Sequence, residues 1–164
     1  NSIAYTNSDG TLGWLGPWEE VGDDGNVAAG KVLVVAEGAN SNVVEFVNSA
    51  VSLRRAADLS TYRSAILTYS YRRQALDTLG DYVTVSVSNG AVWTEVARIS
   101  GPTNDSEYQA SGDIDISAYI YTNTTLQFSS VGMGPNDYIL FYDNPIQCAD
   151  HTPLGNHDPI PNEE

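Results

Sequence analysis

Acyl transfer needs a nucleophile, a base and a group that orients the base. The two histidines, His151 and His157, stand among Pro, Asp and Asn at the C-terminal end, outside any alternating segment that would hold an imidazole in place. The serines lie in strands and turns with no nucleophile-elbow pattern, and the single cysteine, Cys148, has no fixed partner. Hydrolysis by a triad is therefore set aside. Carboxylates are more numerous. Asp113 and Asp115 share one strand face at i, i+2, and Asp77 and Asp81 flank a short loop. A glycosidase uses two carboxyls about 5 to 10 Å apart across a cleft, but solvated acids on turns are the simpler account of each pair. Tyr71, Tyr82 and Arg72 are the acid/base types a polysaccharide lyase draws on. The richest constellation is Glu19, Glu20, Asp23 and Asp24 near the start, with Asp143 and Asn144 near the end. Ca²⁺ takes six to eight oxygens from carboxylates, amides and backbone carbonyls, which turns of Asp, Asn and Gly supply. Glu20, Asp23, Asp24 and Asp143 are the expected ligands of a structural calcium ion. Zinc is not expected from so few Cys and His.

The elements that must position these groups are strands. Apolar residues recur with period two over Lys31 to Val35, Val43 to Val47, Arg63 to Arg73, Tyr82 to Ser88, Val92 to Ser100, Thr124 to Val131 and Tyr138 to Ile146. Asp9-Gly10, Asp24-Gly25, Asn89-Gly90 and Gly101-Pro102 mark turns, Asn89-Gly90 being the clearest hairpin. Only Ile116 to Tyr121 is compatible with a short helix. Many short strands at regular spacing predict an all-β, antiparallel β-sandwich of jelly-roll topology over residues 1–148, followed by a Pro-, Asp- and Asn-rich linker or tail over 149–164. Alternation divides the faces. Ala65, Leu67, Tyr69 and Tyr71 oppose Thr68, Ser70 and Arg72. Val83, Val85 and Val87 turn inward and Tyr82, Thr84 and Ser86 outward. Leu126 and Phe128 turn inward, Gln127 outward; Ile139 and Phe141 inward, and Tyr138, Leu140 and Tyr142 outward. If these strands share a sheet, Arg72, Tyr82, Gln127, Tyr138 and Tyr142 form one flank. Rings that stack on sugar CH faces, beside Arg and Gln that hydrogen-bond hydroxyls, suit a glycan surface. Trp14, Trp18 and Trp93 are further candidate platforms.

Several motifs carry a resemblance. Arg55 to Ser60 reads R-x-A-D-L-S. Asp81 to Ser88 reads D-Y-V-x-V-x-V-S and leads through a tight turn to Trp93-Thr94. Asp115 to Tyr119 reads D-I-S-x-Y, and the closing strand carries Asp143-Asn144; Trp14 to Gly25, WLGPWEEVGDDG, opens the domain. Over about residues 1–147 the chain resembles the MAM-like, concanavalin-type jelly-roll modules of large secreted bacterial proteins. The resemblance implies the fold, an accessory role beside proteases, glycosidases or adhesin-like repeats, and a structural calcium. Pro145, directly after Asp143-Asn144, departs from the pattern and implies an edge or a bulge.

Lys and Arg number 7 against 21 Asp and Glu, a formal charge of -14. That field repels phosphate backbones and anionic lipid, so neither nucleic acid nor a membrane is an expected partner. With 41% hydrophobic residues, 10 Tyr and 3 Trp the chain has the means to build a core. The leading expectation is a non-catalytic extracellular or cell-surface module that binds a polysaccharide or cell-surface glycan, holds Ca²⁺, and works beside neighbouring domains of a larger polypeptide. The alternative is a structural spacer or protein-interaction module of an adhesin or secreted protease; a polysaccharide-active enzyme is third.

Overall fold

The computed structural model describes residues 13–38, 41–142 and 146–149. Thirteen strands follow in chain order: β1 (Glu19–Val21), β2 (Val32–Glu37), β3 (Ser41–Val47), β4 (Ser52–Ala57), β5 (Ser64–Leu67), β6 (Ser70–Gln74), β7 (Tyr82–Ser88), β8 (Trp93–Ser100), β9 (Gln109–Ala110), β10 (Ile114–Asp115), β11 (Thr124–Val131), β12 (Tyr138–Tyr142) and β13 (Ile146–Ala149). A 3₁₀ turn at Ser117–Tyr119 is the only helical element among the described residues, in the segment where a short helix was compatible with the sequence. Asp115 accepts the Ser117 amide at 2.9 Å and so starts that turn.

One sheet runs β1-β4-β11-β7-β8 and the other β2-β3-β12-β6-β9. A three-stranded piece, β10-β5-β13, carries the second sheet onward, because β5 leads into β6 through Thr68 and Tyr69, β9 into β10, and β12 precedes β13. The Tyr69 amide bonds the Ser111 hydroxyl and the Ser111 amide bonds the Tyr69 carbonyl, both at 2.9 Å, so the interruption keeps its backbone groups satisfied. All ladders are antiparallel. The result is the expected antiparallel β-sandwich. The long strand expected over Arg63 to Arg73 divides at this break; of the one expected over Tyr138 to Ile146, the described residues are β12, which runs to Tyr142, and the start of β13 at Ile146.

The core lies between the sheets. Val83, Val85, Val87, Leu126 and Phe128 face Phe46, Tyr69, Ile139 and Phe141. Aromatic rings fill its centre, with the Phe128 and Phe141 centroids 4.8 Å apart and Tyr69 edge-on to both at 5.6 and 5.9 Å. The hairpin at Asn89-Gly90 joins β7 to β8, with Gly90 at φ 94° and a bulge beside Val85 and Ser86.

β4 was not expected from the sequence. Its inward row is Leu53, Arg55 and Ala57, and the arginine hides the alternation. Arg55 is only 6% exposed, and its Nε donates to the Gly16 carbonyl at 2.7 Å. Its guanidinium lies 4.5 Å from the Trp14 ring centroid and 5.9 Å from that of Trp18. Trp14 and Trp18, candidate platforms in the sequence, are partly buried here against the core. A segment bonded to β4 through Leu15 and Gly13 thus supplies a buried cation with both a carbonyl and aromatic faces.

Candidate functional site

The outer face of the second sheet brings together Arg72 on β6 and Tyr138 and Tyr142 on β12, three of the five predicted ligand-binding residues. In the ladders Arg72 stands level with Leu140, Glu45 and Leu33. Glu37 lies four residues further along β2, which is about 13 Å along the strand, and three strands away, about 14 Å across. In a flat sheet the two side chains would be separated by about 19 Å, beyond their joint reach. Yet the Arg72 Nη2 contacts Glu37 Oε1. The sheet must therefore curve toward this face, which makes it the concave one.

Tyr108, which precedes β9 at the far edge, closes over the same face. Its hydroxyl donates to Glu37 Oε2, and its ring centroid lies 5.3 Å from the Arg72 guanidinium carbon and 5.9 Å from the Tyr142 ring. The floor is apolar: Val43 and Leu140, both on outward-facing positions, are 2% and 4% exposed. Leu140 was expected to face solvent; the curvature and the side chains arching over it account for its burial. Gln74 completes the rim: with its amide turned so that both ends are satisfied, its nitrogen donates to the Tyr138 hydroxyl and its oxygen accepts from Arg72 Nε and Nη2 at 3.3 and 3.2 Å. Burial first, and then the like charge of Glu37, pushes the Glu45 carboxyl up. Burial and the bond to Glu37 push the Tyr108 hydroxyl up as well. The face thus offers aromatic rings, an apolar floor, one cation and two carboxylates. Such a set can stack on the CH faces of a sugar and exchange hydrogen bonds with its hydroxyls.

The condition that all five predicted residues share a sheet is not met. Tyr82 on β7 and Gln127 on β11 lie on the outer face of the opposite sheet. There the Arg98 guanidinium stacks 4.2 Å from the Tyr82 ring centroid and pairs with Glu95 at 2.8 Å, while Gln127 donates to the Ser129 hydroxyl at 3.0 Å. The lyase set does not converge either: Tyr71 packs against the core, Tyr82 faces out on one sheet and Arg72 on the other. Glu37, Glu45, Gln74 and Tyr108 were not singled out by sequence reasoning. Alternation along β2, β3 and β6 places the first three on the outward set, but Tyr108 sits in a loop without periodicity. Trp93, at the start of β8, is 43% exposed.

Among the expected calcium ligands, Glu20, Asp23 and Asp24 do come together, each offering one oxygen within 4.8 Å of the others. Backbone amides hold them: Lys31 and Val32 donate to Asp23 Oδ2 at 2.5 and 2.8 Å, Gly25 to Glu20 at 2.7 Å and Asn26 to Asp24 at 2.8 Å. Gly30 makes room, since a Cβ there would stand 2.6 Å from the Asp23 carboxylate. The one lysine, Lys31, turns its ammonium to the Ser49 carbonyl at 2.7 Å instead. A hard oxygen donor set held by main-chain amides fits a divalent ion. Asp143, with Asn144 and Pro145, lies outside the described residues, as do His151 and His157. A second carboxylate group, Asp77, Asp81 and Asp137, converges beside Gly132 at another place in the fold, with Asp81 and Asp137 buried. The hydrogen bond with Asp81 and the neighbouring negative charges push Asp77 up. No helix among the described residues is long and apolar enough to cross a membrane.

No protein-family model and no curated protein sequence matches the chain. Solved structures do. TmCBM61, a carbohydrate-binding module solved in complex with β-1,4-galactotriose, superposes with a TM-score of 0.54 at 15% identity, over 84% of this chain and 92% of that one. The chain has the β-sandwich fold of such modules. The K3 cleaved adhesin domain of Lys-gingipain from Porphyromonas gingivalis gives the same TM-score of 0.54 at 13% identity, over 79% and 88%. A carbohydrate-binding module specific for non-crystalline cellulose, CBM28, gives 0.50 at 10% identity, over 80% and 88%.

Proposed function

We propose that the chain is a non-catalytic carbohydrate-binding module whose ligand lies on the concave face, against Tyr138, Tyr142, Arg72 and the floor formed by Val43 and Leu140. The observation that carries the reading is that curved face: an outward-facing apolar strip, flanked by tyrosines and polar groups, on a fold that two carbohydrate-binding modules share. Its low positive charge and the -14 of the whole chain favour a neutral polysaccharide over a polyanion. On this reading the chain is a MAM-like accessory module, secreted or displayed at a cell surface beside neighbouring domains of a larger polypeptide. Glu20, Asp23, Asp24 and Asp143 hold a structural Ca²⁺ that ties the first turn to the closing strand. The convergence of the first three carboxylates supports that assignment.

Affinity electrophoresis in gels of soluble β-1,4-galactan, glucomannan and hydroxyethyl cellulose tests the reading. One polymer retards the protein, Arg72→Ala and Tyr142→Ala weaken the retardation, and Tyr82→Ala on the opposite sheet leaves it unchanged. If Tyr82→Ala abolishes retardation and Arg72→Ala does not, the site is on the other face. The likeness to a gingipain adhesin domain favours the second reading, a spacer or protein-interaction module; a folded protein that no polymer retards supports it.

A further inference from the structure

The concave face is spanned from edge to edge. Glu37 belongs to β2 at one edge, Tyr108 precedes β9 at the other, and β3, β12 and β6 lie between them. Both the Arg72 guanidinium and the Tyr108 hydroxyl bond the Glu37 carboxylate, one on each oxygen. The strip that would support a sugar ring, Val43 and Leu140, lies buried on the same face, with Leu140 paired to Arg72 in the ladder. Because the bridge crosses the face from one edge strand to the other, a polysaccharide chain laid on that strip has to displace it. The bridge can open: Glu37 is the last residue of β2, followed by an exposed Gly38 at φ 70° with open space around its Cα, and its two polar partners, Arg72 and Tyr108, are side chains outside the core.

We propose that Glu37, held by Arg72 and Tyr108, is a latch that keeps the carbohydrate face closed, and that a neutral glycan binds by displacing it. This rests on the carbohydrate reading above. Chemically the exchange is matched, because sugar hydroxyls can accept from Arg72 and donate to Glu37 as the two side chains part. The apparent affinity of a closed site is the intrinsic affinity reduced by the open fraction. Removing the latch raises it, whereas removing a ligand contact lowers it.

The test uses the whole chain and two variants, Glu37→Ala and Tyr108→Phe, the second deleting a single oxygen. Each is expected to tighten retardation by the β-1,4-galactan, glucomannan or hydroxyethyl cellulose gel that retards the parent, by about threefold or more. Nitration of Tyr108 by tetranitromethane, followed by peptide mass mapping, reads the latch without any ligand. Glu37→Ala is expected to nitrate at Tyr108 about threefold faster or more, through release of a local closure, with its circular dichroism unchanged. An unchanged nitration rate overturns the latch, and so does weaker retardation of both variants, which would make Glu37 and Tyr108 ligand contacts. If nitration is released but no polymer retards any form, the latch stands and the carbohydrate reading fails.

Discussion

The segment that delivers Tyr108 to the concave face is anchored by one ion pair, and its removal is the most informative perturbation of the scaffold. Arg73 and Asp105 meet in a two-pronged contact, Nε to Oδ2 at 2.8 Å and Nη2 to Oδ1 at 2.9 Å. The Arg73 amide adds a third bond to Oδ2 at 2.9 Å, and Arg73 Nη1 donates to the Ser100 carbonyl at 3.0 Å. The Asp105 side chain is 7% exposed and that of Arg73 19%. Exposed pairs contribute about 0 to 1 kcal/mol, and breaking a fully buried one costs about 3 to 5. Asp105→Asn, in an intermediate setting and with an acceptor left for the Arg73 amide, is expected to cost about 2 kcal/mol. For a chain of this size that is a fall in Tm of about 4 to 8 °C. Thermal unfolding followed by circular dichroism measures it. The pH dependence has a definite sign. Hydrogen bonds from Arg73 hold the Asp105 carboxyl below the usual carboxylate range, with burial opposing. Its stabilisation is therefore complete above the unfolded-state value of about 3.9 and is lost as pH falls from there through the lower folded value. The gap between parent and Asp105→Asn should be constant from pH 7 to 5 and shrink on further acidification. A gap under about 0.5 kcal/mol at pH 7 would refute the partition, and a gap that widens in acid would refute the linkage.

Phe128→Ala, which removes the ring packed against Phe141 and Tyr69, should destabilise by about 3 to 5 kcal/mol in urea titration. Gly132→Ala should cost more than about 2 kcal/mol, because φ is 74° and the new Cβ would fall 2.0 Å from the Gly80 carbonyl oxygen; calorimetry reads it. Calcium at 100 times its dissociation constant should raise stability by about 2.7 kcal/mol, reversed by chelator, and Asp23→Asn should abolish most of the gain; a Tm indifferent to both removes the ion from the account.

Period-two alternation was enough to locate β7, β8, β11 and the start of β12, because a strand buried on one face leaves its pattern directly in the residues. It also put Arg72, Tyr138 and Tyr142 on outward positions. It could not show β4, where Arg55 occupies a core position that only Trp14, Trp18 and the Gly16 carbonyl make tolerable. Nor could it assign strands to sheets, since pairing joins residues far apart in the chain; Tyr82 and Gln127 went to the opposite sheet from Arg72 for that reason. The clustering of Glu20, Asp23 and Asp24 was legible because all three lie within one turn. Curvature was not legible at all. It comes from long-range pairing over five strands, and it brings Glu37 and Tyr108 together over the face on which Leu140 and Val43 are buried. Local pattern determined the strands and their faces; long-range pairing decided which faces became a site.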